Sequence, residues 1–337
     1  MRRLTYFLRA VRKILRTRLK GEGPFFVSHL ITARCFARCP TCLWRGDVPE
    51  EKNVSKVLKF YREAREEGFV STTFWGGEPL LWEGLLEVME GCRKMGFVTG
   101  LITNGYLLPR YARDLAHLAD FVIVSVDLPS EEHDRLRGVE GMFRRALEGI
   151  SLLSEENPGL KVFLNTVVSR LNFHAVEGMV ELCEELGISV TFESVDEGEP
   201  QFRDGPRVEG LRLPREEEAE VFGRIRRMKR EGRPVNNSES YLRMFEEGRV
   251  RYRCHLPSIS VRVEPDGNVT NCLDRKHPLG NVYRDRLRDI LEGERMRWLR
   301  REALGCHRCV DTGTVESSLF WEFKPEVVLN TLRLFLG

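Results

Sequence analysis

Three cysteines stand within eight residues, in Cys35-Phe-Ala-Arg-Cys39-Pro-Thr-Cys42, directly after the apolar run Phe25 to Ile31. Thiolates are soft ligands suited to iron–sulfur clusters and to zinc. A closed structural zinc site takes four ligands, and the nearest further candidate here is His29. Three protein ligands on a four-iron cluster leave one iron open for a substrate or cofactor. Cys35, Cys39 and Cys42 are therefore the candidate catalytic metal ligands. A second set, Cys254, Cys272, Cys306 and Cys309, brackets an Asp266-Gly267 hairpin signal between alternating segments. A hairpin there brings Cys254 and Cys272 together, and Cys306-His-Arg-Cys309 adds a close pair. Four thiolates suit zinc or a closed iron–sulfur cluster equally. Cys92 and Cys183 stand singly on predicted helices and are expected in the core.

On the first three cysteines the chain resembles the radical S-adenosylmethionine (SAM) enzymes, whose signature is this spacing at the end of a first strand. Trp75 is followed by Gly76-Gly77-Glu78-Pro79, which resembles the motif that accepts hydrogen bonds from the SAM amino group. Paired glycines let a backbone approach a ligand closely. The resemblance extends to strand ends: Asn104 in Thr-Asn-Gly, Ser125 and Asp127 in Ser-Val-Asp, and Asn165 in Leu-Asn-Thr. In relatives such groups hold the ribose and carboxylate of SAM, and Arg137 is the candidate bidentate partner of that carboxylate. Each is also an ordinary cap, turn or solvated residue type. His133 is expected to be structural. The pattern of Cys254, Gly267 and Cys272 with the later pair resembles the opening of the SPASM/twitch modules of these enzymes. The resemblance thus implies two [4Fe–4S] clusters, one binding SAM and one auxiliary, and hydrogen abstraction by a 5′-deoxyadenosyl radical. It also implies a low-potential electron donor such as a ferredoxin or flavodoxin.

The elements that must position these residues read as a strand–helix alternation. Strands are expected at Phe25–Ala33, Val70–Phe74, Val98–Thr103, Phe121–Val126, Val162–Val168 and Ile188–Glu193. Amphipathic helices intervene, which predicts a parallel α/β sheet with ligands at the carboxyl ends of its strands. The expected fold is α/β, a partial (β/α)6 TIM-like barrel with a small hairpin-containing iron–sulfur domain. The expected divisions are a basic amphipathic helix at 1–22, the barrel at 23–200, and linker and charged helices at 201–250. A twitch domain at 251–312 and an apolar tail helix at 313–337 follow.

With 337 residues and 42% hydrophobic content the chain can bury a sizeable core. No apolar run reaches the length of a spanning helix, and no secretory signal is evident. Nine cysteines in such a chain read as metal ligands in a reducing cytoplasm. A net charge of +2 argues against a nucleic-acid binder, and the single Gln with 31% charged residues leans thermophilic.

Substrate is read from the two ends of the chain. Residues 1–20 carry eight Lys/Arg and no acid around an apolar stripe of Leu4, Phe7, Leu8, Val11, Ile14, Leu15 and Leu19. Such a helix either lies in an anionic membrane interface or packs on the barrel with its arginines solvated. The tail repeats the apolar density from Leu319 to Leu336. Together they favour a membrane lipid as substrate, including C–C bond formation between isoprenoid chains, with peripheral contact at the inner membrane face. This reading expects a long apolar channel, not a polar cleft. The alternatives are a peptide or protein maturase, or an alcohol dehydrogenase acting on a small cyclitol.

Overall fold

A computed structural model gives the structure and describes residues 12–14, 16–19, 23–202 and 205–336. Six parallel strands form the expected alternation: β1 (Phe26–Thr32), β2 (Ser71–Gly76), β3 (Val98–Thr103), β4 (Phe121–Ser125), β5 (Lys161–Val168) and β6 (Ser189–Ser194). They lie side by side in chain order. Beyond β1 the sheet continues through β7 (Ser260–Val263), parallel to β1, then β8 (Asn268–Val269) and β9 (Gly280–Asn281), both antiparallel. The sheet is open, with β6 and β9 at its edges, so the fold is a partial barrel. The hairpin of the expected iron–sulfur domain joins the barrel sheet through β7, which is hydrogen-bonded to the first strand. Its turn depends on Gly267, held at φ +87° against the Tyr283 ring.

Alternation along each strand decides which face does what. Val27, Phe74, Leu101, Val122, Leu164 and Phe192 face the helices and are fully buried in the main core. Against them pack Phe60 and Tyr61 of the helix Val54–Glu66, with Cys92 and Cys183 of later helices, the core positions expected for both cysteines. Each such large side chain contributes about 1.5–3 kcal/mol by burial. His29 belongs to this outer face: its Nδ1 lies 2.9 Å from the Tyr61 hydroxyl, which meets Thr72 Oγ1 at 2.9 Å. Burial holds the imidazole down at about 3, so it is neutral. It is turned away from the cysteines it neighbours in sequence.

Both ends of the chain are docked where they are described. Residues 12–14 and 16–19 are helical. Ile14 packs against Phe25, Val70, Ile259 and Trp321, and Thr17 is buried with its hydroxyl donating to the Gly23 carbonyl at 2.9 Å. Arg18 stacks over the Trp321 and Phe323 rings. The rest of the basic stripe, residues 1–11, 15 and 20–22, lies outside the described residues. In the tail helices Thr312–Trp321 and Pro325–Leu336, the side chains of Val315, Leu319, Trp321 and Val327 are buried. Their acids cap the helix Glu239–Glu246: Glu316 Oε1 accepts from Ser238 N at 2.7 Å, and Glu326 accepts from Glu239 N and Ser240 N.

Burial pushes the Glu316 carboxyl up from 4.5 to about 7. Between those values the folded chain binds more protons than the unfolded one, so this group lowers stability as pH rises through that window. We expect Glu316→Gln, which keeps an acceptor for Ser238, to match the parent at pH 4.5 in denaturant melts. At pH 8 it should be more stable by up to about 3 kcal/mol. An advantage that shrinks as pH rises would contradict the assignment.

Candidate active site between two cysteine sets

The first cysteine loop is held by the backbone of the glycine pair. Gly77 N donates to Thr32 O at 2.7 Å and Glu78 N to Arg34 O at 2.8 Å. Gly76 sits at φ +145°, a conformation that favours glycine. A Cβ there would collide with the Thr32 carbonyl oxygen, and one on Gly77 with the carbonyl oxygens of Ala33 and Arg34. The close approach expected toward a ligand is thus made toward the chain entering Cys35. Glu50 braces the same entry, accepting from Thr32 Oγ1 at 2.7 Å and pairing with Arg34 at 2.8 Å. On the far side Arg38 N donates to Arg137 O at 2.8 Å, and Trp44 N lies 3.3 Å from Cys42 Sγ. All nine cysteines are free thiols. Burial, with Glu78 and the neighbouring thiols, pushes Cys35 up to about 11, and burial raises Cys39 as well. Thiols raised by burial and by one another are stabilised as thiolates only when a cation joins them.

Glu78 is fully buried, and burial pushes its carboxyl up to about 7 against the hydrogen bonds it accepts. Thr103 Oγ1 lies 2.8 and 2.9 Å from its two oxygens, Asn104 N donates at 2.8 Å and Leu80 N at 3.1 Å. The side chain expected to accept from an amino group is therefore already engaged by three donors of the protein. It ties the end of β2 to the end of β3 and brings the Asn104 amide to 3.8 Å from Cys35 Sγ. Arg137 and Asp127 also meet each other, in a buried pair at 2.7 Å. Burial lowers the Arg137 guanidinium, but Asp127 and Cys39 more than offset it and leave it above its usual range. His133 is buried and structural, its Nδ1 accepting from Asp127 N at 3.1 Å. Ser125 and Asn165 face one another across β4 and β5. Asn165 Nδ2 donates to Glu193 Oε1 at 2.9 Å.

The second set forms around the hairpin. Cys254 is buried, Cys272 exposed, and Cys306 and Cys309 lie between. Burial and mutual repulsion push Cys254 up to about 11 and Cys309 to about 12, and burial raises Cys272. Among the described residues no three His, Cys, Asp or Glu side chains close on a single metal ion.

The lumen between the sets holds residues that sequence reasoning passed over. In the β1–β7 register Ser28 pairs with Arg262, and Ser28 Oγ accepts from Trp75 Nε1 at 2.8 Å, so Arg262 shares the concave face with Trp75. Its guanidinium lies 4.8 Å over the Trp44 ring, which meets Trp75 edge-on at 4.8 Å. Glu193 Oε2 accepts from Thr312 N at 3.1 Å, joining β6 to the segment after Cys309. Burial raises Glu193, Asp196 and Asp311 together. Polar and aromatic groups thus stand on this face beside the apolar Leu30, Ala33 and Phe202, where a long apolar channel was expected. Alternation would have pointed Glu193 in β6, and Arg262 between Val261 and Val263, to the face opposite their apolar neighbours. Residues read as linker cover the mouth: Phe202 packs on Leu30 and Ala33 beside Trp44 and Trp75, and Gln201 N donates to Leu43 O at 2.9 Å.

We expect Gly77→Ala to displace the Cys35 entry and cut iron from about eight to about four per chain after anaerobic reconstitution. Full iron content in that variant would show that the glycine contact does not hold the loop.

A family model described as the Radical SAM superfamily matches residues 30–236, and one described as an iron–sulfur cluster-binding domain, SPASM, matches residues 254–310. A protein of Saccharolobus solfataricus named "Probable GTP 3',8-cyclase" is 28% identical over 290 residues, covering 82% of this chain and 89% of its own. Streptococcus suis SuiB bound to S-adenosylmethionine is similar in structure, with a TM-score of 0.68 and 16% identity over 87% of this chain and 72% of that one. The protein anSMEcpe with bound AdoMet gives a TM-score of 0.66 and 17% identity over 93% and 98%. At such identities the two structures speak to the fold alone. With more than half its length matched by the first model and the second matching beyond it, the chain belongs to the radical SAM superfamily, an enzyme using SAM and two iron–sulfur clusters.

Proposed function

We propose that this chain abstracts hydrogen from a polar, anion-bearing substrate held between the two cysteine sets. Cys35, Cys39 and Cys42 hold the SAM-binding cluster in this reading, and Cys254, Cys272, Cys306 and Cys309 hold the auxiliary one. When bound, the first cluster and SAM supply the one-electron cleavage that yields a 5′-deoxyadenosyl radical. Asn104, oriented by Glu78, directs its amide at Cys35, and the Asp127–Arg137 pair sets the loop at Cys39. Ser125 and Asn165 present polar groups at the strand ends toward SAM, and Phe202 closes the mouth against water.

The observation that carries the substrate class is Arg262. Its Nε donates to the neutral Thr270 hydroxyl at 3.0 Å, and it makes no salt bridge among the described residues. Burial lowers its guanidinium, with Glu264 and the auxiliary thiols only partly offsetting this. A cation desolvated beside an aromatic face and aimed into a lumen is stabilised by an anionic ligand. The relative named as a GTP cyclase supports a nucleoside triphosphate as the first compound to try. The lipid reading has weaker support, because apolar residues that suggested it, Ile14, Leu319 and Val327 among them, pack inside the protein. Among the described residues no helix is long and apolar enough to cross a membrane.

The test is 5′-deoxyadenosine formation under dithionite with GTP, acidic peptides, cyclitols or isoprenoid-lipid vesicles. An anionic polar compound should stimulate turnover, and Arg262→Met should raise its KM about ten- to a hundred-fold, as loss of a charge-assisted hydrogen bond does. Stimulation by neutral lipid alone, unaffected by Arg262→Met, would refute the reading.

A further inference from the structure

Asn104, just past the end of β3, is buried, and its side chain is engaged at both ends. Its Oδ1 accepts from Tyr106 N at 3.0 Å, an Asx turn. Tyr106 is fixed in its turn. Arg145 Nε donates to the Tyr106 carbonyl at 2.6 Å, and the Arg145 guanidinium lies 4.8 Å over the ring. Phe36, inside the first cysteine loop, meets the same ring edge-on at 5.2 Å. The Asn104 main-chain N donates to Glu78 Oε2 at 2.8 Å. Because Tyr106 N can only donate, the amide atom facing it is the oxygen, which fixes the other end as the nitrogen. That nitrogen, Nδ2, lies 3.8 Å from Cys35 Sγ, a separation that the larger radius of sulfur allows for a hydrogen bond. Among the described residues no other side chain donates to a cysteine of either set. The bond from Trp44 N to Cys42 Sγ is made by main chain, which every residue but proline supplies. The turn alone does not call for an amide, since Asp, Ser or Thr would accept from Tyr106 N. Of these turn formers only Asn adds an uncharged donor on the far side of its acceptor.

We propose that Asn104 is a positioning residue that acts through Cys35 and sets the reduction potential of the cluster held by the first cysteine set. The inference rests on the reading that Cys35, Cys39 and Cys42 hold the SAM-binding cluster. A hydrogen bond to a ligand sulfur stabilises the more negative of two redox states, so it makes one-electron reduction easier. The step is a single electron. A low-potential one-electron donor loses it, the cluster gains it, the amide proton stays on Nδ2 and no covalent bond changes. Locking the amide from Tyr106 and Glu78 means that the donor need not reorient when charge arrives at the sulfur. The choice of Asn over Asp follows from the same placement. A carboxylate at this position would set a second anion beside Glu78, where reduction itself adds negative charge, and would oppose it. Asn104 thus forms the turn as Asp would, but favours the electron.

The experiment is an anaerobic redox titration of the full chain with both clusters reconstituted, followed by electron paramagnetic resonance. The first cluster is recognised as the reduced signal that moves when SAM is added. Two variants remove the donor in different ways. Asn104→Ser keeps a hydroxyl to accept from Tyr106 N but is too short to reach Cys35, and Asn104→Leu fills the same space and admits no water. Each should load as much iron as the parent. In both, reduction of the SAM-responsive cluster should become less favourable by about tenfold, or about 59 mV more negative for one electron. The other signal should keep its potential. An unchanged potential for the SAM-responsive cluster in either iron-loaded variant would overturn the proposal, and so would equal shifts of both signals. Loss of iron from both variants would also overturn it, by showing that Asn104 holds the loop together and does not tune it. If no signal of the parent moves with SAM, the proposed function fails instead. Asn104 is then judged on whether one signal alone shifts in the variants.

Discussion

The ends of β1 and β2 touch through bare backbone, and the proposed SAM-cluster loop at Cys35 is hung from that contact. Two glycines without Cβ atoms let the chain before Cys35 lie against the turn after β2, with amides bonded to the carbonyls of Thr32 and Arg34. Any side chain there would push the strands apart and unseat the loop. The buried Glu78 then carries the constraint one strand further, to Thr103 and Asn104. Sheet geometry thereby becomes cysteine geometry, since each strand end is fixed by its neighbour before it meets a ligand.

A second constraint comes from the sheet continuing past its first strand. Because β7 adds to β1, the hairpin that gathers the auxiliary thiols is placed by main-chain hydrogen bonds. A flexible linker would not fix it so closely. In the proposed reading the two cysteine sets face one lumen, with Arg262 on Trp44 and Asn165 on Glu193 between them. Glu193 locks the far side by accepting from Thr312, just after the last auxiliary cysteine. Pre-organisation of this kind suits a reaction in which the target carbon must be held while water is kept out.

Much of the candidate site was legible in the amino-acid order, and the reason is local. Cys35, Cys39 and Cys42 are close in space because they are close in sequence, and the same holds for Gly76 to Glu78 and for Cys306 and Cys309. The six-strand alternation was legible because buried strands and amphipathic helices have different periods. The role of Glu78 was not, since its three donors come from Leu80, Thr103 and Asn104, and only folding brings Thr103 and Asn104 to it. Nor was the use of the apolar ends. A basic amphipathic stripe has the same composition whether it meets lipid or protein, and only packing shows that Ile14 and Trp321 meet each other.

The sequence by itself determined the class of sheet and pointed to thiolate sets of three and four, because short-range spacing and periodicity are read directly from the amino-acid order. Tertiary structure alone decided that the hairpin extends the barrel, that Ser28 and Arg262 share a face, and that Arg262 stacks on Trp44. Those outcomes depend on pairings between segments far apart in the chain, where register, which no local pattern records, chooses the side each residue points to.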